Sequence, residues 1–234
     1  MPKIVNHQER RQEVVDAARR VILREGIDAA TTRAIAKEAG YSNGVLTHYF
    51  ADKDDILLSA LRSSHRRIAH RLKDKLAGRT GLSALRELLA DNLPLDDERA
   101  GESALEVGFW GRSLAGGTLL DVQREEAAEL RYIVRTLLDA AAQAGEISTG
   151  ESLDDVAERL LALVDGLSLH RLLYPGRVSP EVLRRLMTAE LDRLAVPADG
   201  ASTIPADGAS ATSAGGGTVT PADGASVAPA GGTA

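Results

Sequence analysis

A chain of 234 residues with 44% hydrophobic content and no Cys can bury a core, but it excludes disulfides and thiolate metal sites. No apolar run approaches the roughly 18 residues that span a bilayer, and the N-terminal stretch is charged, so a soluble, cytoplasmic protein is expected. The net charge of -6 divides unevenly: residues 1–75 carry +5 and the remainder -11, the pattern of a small basic head on an acidic body.

With 3% aromatics and abundant Ala and Leu, the composition favours helix over sheet, and helical periodicity runs through nearly the whole chain. Val14, Ala18, Val21 and Ile22 form one stripe, stopped at Gly26. Thr31 or Thr32 can cap a short second helix carrying Ile35, Ala36 and Ala39, ended by Gly40. Ser42 can cap a third, about two turns long through Phe50, and Asp52 with Asp55 can open a fourth. Further helices are predicted over 82–93, 98–115 and 118–144, the last with Ala127, Leu130, Val134, Leu137 and Ala141 as its stripe. Another opens at Ser152 with Asp155 in capping-box position, and the last opens at Ser179-Pro180. No segment reads as a strand. The fold class is therefore all-α, with nine or so helices: a three-helix head over 1–52 and a larger helical body over 53–196. Residues 197–234 repeat PADGAS at Pro197, Pro205 and Pro221 and hold too little apolar surface to order themselves, so a disordered tail is expected.

Residues 31–57, TTRAIAKEAGYSNGVLTHYFADKDDIL, contain a short helix, a Gly-bearing turn and a second short helix, the parts of a helix-turn-helix. Leu46 and Phe50, four apart, should face the core. Asn43, Gly44 and Thr47 then lie on the opposite side, where Gly44 lets backbone approach DNA and the two polar side chains can read base edges. This stretch closely resembles the DNA-binding signature of the tetracycline-repressor family, over about residues 8–62. Thr-Thr-Arg, Ala-Gly, Ser-x-Gly, His-Tyr-Phe and the Lys after Asp occur together at the family's spacing. The resemblance implies a dimeric, all-helical regulator, a repressor released from a palindromic operator by a small ligand. By position it implies DNA contacts from Thr32, Arg33, Ser42, Asn43, Gly44, Val45 and Thr47. His48, Tyr49 and Lys53 are implied to hold phosphates, Lys53 beside a helix N-terminus that favours anions. Tyr41 departs from the family, where a smaller aliphatic residue is common. Lys37 reads as a surface charge, and the run His65-Arg66-Arg67 with Arg71 as a solvated helix face.

The C-terminal half resembles the family less closely; VDGLSLHRLLYP is similar to a branch with choline-responsive members. Choline is not inferred, because a quaternary ammonium is usually held by several aromatic faces, and residues 76–196 offer only Phe109, Trp110, Tyr132 and Tyr174. An effector pocket should be apolar with a few polar groups, which nominates Phe109 and Trp110 with Glu106 and Ser113 close by on one helix, Gln123 and His170 on apolar stripes, and Asp165 in an otherwise apolar run. Apolar residues on more than one face of the 152–173 helix ask for a second partner surface, which fits a homodimer through that helix and 179–194. A helical enzyme is the rival class, yet no nucleophile elbow, phosphate loop or His-Glu-x-x-His helix occurs, and neither a cofactor nor a metal is implied. A protein-binding scaffold is the other rival, and it leaves the Arg33, Asn43, Thr47, Tyr49, Lys53 set unused.

Overall fold

A computed structural model describes residues 7–197. Nine helices account for their regular structure: α1 (His7–Glu25), α2 (Thr32–Ala39), α3 (Asn43–Leu46), α4 (Lys53–Leu76), α5 (Gly81–Asp91), α6 (Asp97–Ser113), α7 (Thr118–Gln143), α8 (Leu153–Leu173) and α9 (Pro180–Leu194). Among the described residues the one β feature is an isolated bridge between Ile147 and Ala195. Except for Pro197, the expected tail lies outside the described residues.

Local chemistry sets most boundaries. Asp52, Asp96, Ser152 and Ser179 each accept a backbone N–H three residues on, satisfying a donor that the helix start would leave bare. Thr31, rather than Thr32, caps α2 through the Ala34 N–H at 3.1 Å. Gly40 ends α2 in the left-handed region, at φ 74°, which a residue with a Cβ rarely adopts.

Two apolar cores organise the helices. The first joins α1, α2, Leu46, Phe50 and the start of α4 to Leu105, Phe109, Leu119 and Val122. The second joins α5, the C-terminal part of α7, α8 and α9. Helix α4 belongs to both: Ile56, Leu57, Ala60 and Leu61 pack in the first, and Leu72 in the second. Helix α6 packs Leu105 and Phe109 in the first core, while Glu102, Glu106 and Trp110 line a cavity in the body.

Of the His65-Arg66-Arg67 run with Arg71, Arg66 and Arg67 are exposed as their charges suggest, but His65 and Arg71 are not. Arg71 forks onto Glu102, with N–O distances of 2.9 and 2.7 Å, and its Nε donates to Asp91 at 3.0 Å. Lys75 also bonds Asp91. Both carboxylates are buried, so they need these cations, and the Glu102 and Asp91 bonds push the Arg71 pKa upward against its own desolvation. Arg67, though exposed, pairs with Asp16.

Candidate nucleic-acid interface and effector cavity

The turn after α2 and the short α3 present one exposed edge. Leu46 and Phe50 are buried as their spacing predicts, while Ser42, Asn43, Gly44, Thr47 and His48 are exposed. Arg33 and Lys37, one turn apart on α2, are exposed too. Thr32, Val45, Tyr49 and Lys53 are half-buried, which limits how far Val45 can reach outward. A Cβ built on Gly44 would meet nothing nearer than Ser42 Oγ at 3.9 Å, so no intramolecular clash requires glycine there. The Thr47 hydroxyl donates to the Gly44 carbonyl at 2.9 Å, leaving its lone pairs facing outward.

Helix α3 is shorter than two turns. It is α-helical only over Asn43–Leu46, and the chain tightens through His48 N–H to Val45 O and Tyr49 N–H to Leu46 O. Ser42 stands at the N-cap position but makes no capping bond, and Gly, Val and Thr are weak helix formers. The segment is fixed from outside, by a residue that sequence reading overlooked. Arg11 of α1 stacks over the Phe50 ring at 4.2 Å and donates to the Tyr49 carbonyl, to Ser59 Oγ at 2.8 Å and to Asp55 at 3.2 Å. Its partners are 38 to 48 residues away, so no local pattern reveals it. The Tyr49 ring rests on His7 at 4.4 Å.

Two electrostatic details refine the sequence reading. The start of α4 is already capped by Asp52 and carries Asp54 and Asp55 in its first turn. The cap occupies the Asp55 N–H, and these carboxylates offset part of the attraction for anions that a helix start offers. Tyr41 keeps its ring against the first core and donates its hydroxyl to Glu13, whose bond raises the phenol pKa. Glu38 is held by Arg20 and Arg24, which lower its pKa.

The body holds a cavity of about 590 Å³ bordered by α4, α5, α6, α7 and α8. A second hollow, near Arg79, Leu82 and Val196, is a shallow surface recess. Glu106, Trp110, Gln123 and Asp165 line the deeper cavity; Phe109, Ser113 and His170 do not. Phe109 is fully buried in the first core, and the Ser113 hydroxyl bonds its carbonyl at 2.9 Å. His170 lies on the exposed last turn of α8, edge-on to Tyr174.

His65 lies in this cavity. Its Nε2 is 3.0 Å from Glu106, and its Nδ1 is 3.3 Å from Glu126 without hydrogen-bond alignment. Burial alone would lower its pKa, but the Glu106 bond and the charges of Glu106 and Glu126 outweigh that and raise it. Asp165 borders the cavity, and its side chain is exposed even though protein crowds one side of it. Desolvation, then Glu106 and Glu158, raise its pKa to about 6. Among the described residues no cluster of His, Asp and Glu is arranged to hold a metal ion, and no helix is long and apolar enough to cross a membrane.

Comparisons with known proteins match this arrangement in both halves. Residues 14–60 match the model of bacterial regulatory proteins of the tetR family, and residues 82–196 match the C-terminal part of BetI-type transcriptional repressors. The regulator PksA of Bacillus subtilis is 31% identical over 198 residues, covering 84% of this chain and 95% of its own. The regulator BetI of Burkholderia lata is 27% identical over 205 residues, covering 83% and 98%. A transcriptional regulator of Saccharomonospora viridis, solved in complex with choline, superposes with a TM-score of 0.77 at 23% identity. That match covers 81% of this chain and all of the other.

Proposed function

Since this chain belongs to the tetR family of helix-turn-helix transcriptional regulators, we propose that it represses by gripping a palindromic operator and lets go when a small molecule fills the body cavity. The observation that carries the reading is the exposed edge of Arg33, Ser42, Asn43, Gly44, Thr47 and His48, with Tyr49 and Lys53 flanking it. Asn43 and Thr47 are the base readers, Gly44 admits close approach, and Arg33, His48, Tyr49 and Lys53 hold backbone. Thr32 and Ser42 supply hydroxyls at the rim.

Helices α4 and α6 give the cavity a route to the head. Each carries cavity-lining residues and first-core residues on the same rigid element. Arg112, near the end of α6, also lies 3.3 Å from Asp54 and 3.7 Å from Asp28, at the start of α4 and in the α1–α2 connection. A ligand that favours one placement of α6 therefore biases the head. In a dimer built on α8 and α9, that changes the separation of two half-sites about one DNA turn apart. Choline, held by the Saccharomonospora neighbour, belongs in any effector screen, although Trp110 is the one Trp, Tyr or Phe in the cavity lining.

Fluorescence anisotropy on the DNA beside the protein's own gene tests this at two salt concentrations. Tight, sequence-selective binding that strengthens at low salt is expected. Gly44→Ala, and the pair Tyr49→Phe with Lys53→Ala, should weaken it while helicity stays intact. Equal affinity for scrambled DNA across several candidate regions would remove the reading.

A further inference from the structure

We propose that the cavity selects a protonated primary or secondary amine carried on an apolar body; this deepens the effector reading above and rests on it. The lining holds seven carboxylates against Lys73, Arg99 and Arg131, with Arg71 and Lys75 reaching it from behind, so carboxylates still outnumber Lys and Arg seven to five. Internal pairs neutralise only part of that set: Arg71 and Lys75 hold Asp91, Arg71 holds Glu102, and Arg131 holds Glu158. Glu106 and Glu126 are left to share the single imidazole of His65. Asp165 has no hydrogen bond or ion pair among the described residues. An anion entering here meets net repulsion, whereas a cation supplies the missing charge.

Two polar side chains ask for a hydrogen-bonding guest rather than a bare charge. Ser168 lies three residues after Asp165, hence on the same side of α8. It is 5% exposed, lines the cavity, and its Oγ has no partner. The Gln123 side-chain nitrogen is also buried without a partner, and turning the amide over would present its oxygen instead. Buried polar atoms are normally bonded, so unpaired ones facing a cavity mark where a ligand's hydrogen-bonding groups sit: Ser168 Oγ can accept an N–H, and Gln123 can do so once its amide is turned. A quaternary ammonium has no N–H to give, and it is best held by several aromatic faces, where this lining has Trp110 alone. The remaining wall, including Ile68, Leu72, Leu130, Leu161 and Val164, is apolar and suits a hydrocarbon body.

The test is calorimetric titration of the full chain near neutral pH with four probes of one length: octylamine, octyltrimethylammonium, octanol and octanoate. Octylamine should bind about tenfold or more tightly than the quaternary and neutral probes, the ratio that one charge-assisted hydrogen bond supplies, with octanoate weakest. The isosteric variants Asp165→Asn and Glu106→Gln should each weaken octylamine by about tenfold and leave octanol unchanged. Ser168→Ala, with helicity checked by circular dichroism, should weaken octylamine to a smaller degree. The proposal is overturned if octylamine fails to bind, if octanol or octyltrimethylammonium matches it, or if the carboxylate variants bind it like the parent. Operator anisotropy run beside the calorimetry separates the two readings. Octylamine that binds without moving operator affinity would sink effector control and leave the amine site standing. Failure of octylamine to bind, together with operator release by octanol, would do the reverse.

Discussion

Asp165 shows what a cavity asks of a single residue. Its pKa is raised to about 6 from an ordinary 3.8 by desolvation and then by Glu106 and Glu158. Between those values the native state retains a proton that the unfolded chain has lost. Stability from this group therefore falls as pH rises through that window and stays reduced above it. Asp165→Asn removes the effect: relative to the parent, the variant should unfold at higher denaturant above about pH 6 and at the same concentration below about pH 4. A difference in midpoint that stays constant across that range would contradict the assignment. The sequence revealed Asp165 as a charge in an apolar run, Gln123 as a polar residue on the stripe of α7, and Glu106 as a polar neighbour of Trp110. It misjudged Phe109 and Ser113 because nearness along a helix is not a shared face. Glu106 and Trp110 are four apart and reach the cavity, while Leu105, Phe109 and Ser113, also four apart, turn to the core. His65 stayed hidden because its partners lie on α6 and α7, far along the chain.

At the scale of elements, helix starts were legible where a local cap stands out, as at Asp52, Ser152 and Ser179, while the equally local cap at Asp96 was missed and its helix was expected to begin near 98. The length of α3 was not, because its tight last turn is held by Arg11 from another helix. What pins α4 against α5 and α6 was equally invisible, since Arg71 looks like one more surface charge until Asp91 and Glu102 are brought to it. Removing that guanidinium strands two buried carboxylates, one keeping only Lys75. Arg71→Met should cost about 3 kcal/mol or more in chemical denaturation. Adding Glu102→Gln should recover part of the loss, because the group left unpaired is then neutral. A cost below about 1 kcal/mol for Arg71→Met would show that water already satisfies these carboxylates.

At the scale of the molecule, residues 1–75 carry +5 and the remaining residues -11, a division that favours approach of the polyanionic duplex to the N-terminal part of the chain. That asymmetry orients an encounter, but one head alone offers only a short α3 and a few phosphate contacts. Sequence-selective repression therefore needs two heads held at fixed separation. Leu173, Tyr174 and Leu186 are 58%, 50% and 43% exposed, on and just beyond α8 and on α9. Large apolar side chains so exposed at neighbouring helices fit the expectation that α8 and α9 pack on their symmetry mates. Leu173→Glu with Leu186→Glu should convert the protein from dimer to monomer in analytical ultracentrifugation without loss of helicity, since neither residue belongs to a core. Operator affinity should then fall by about a hundredfold or more, because the second head no longer benefits from being tethered to the first. A variant that remains dimeric would place the pairing face elsewhere, and a monomer that binds the operator as tightly as the parent would mean that one head suffices.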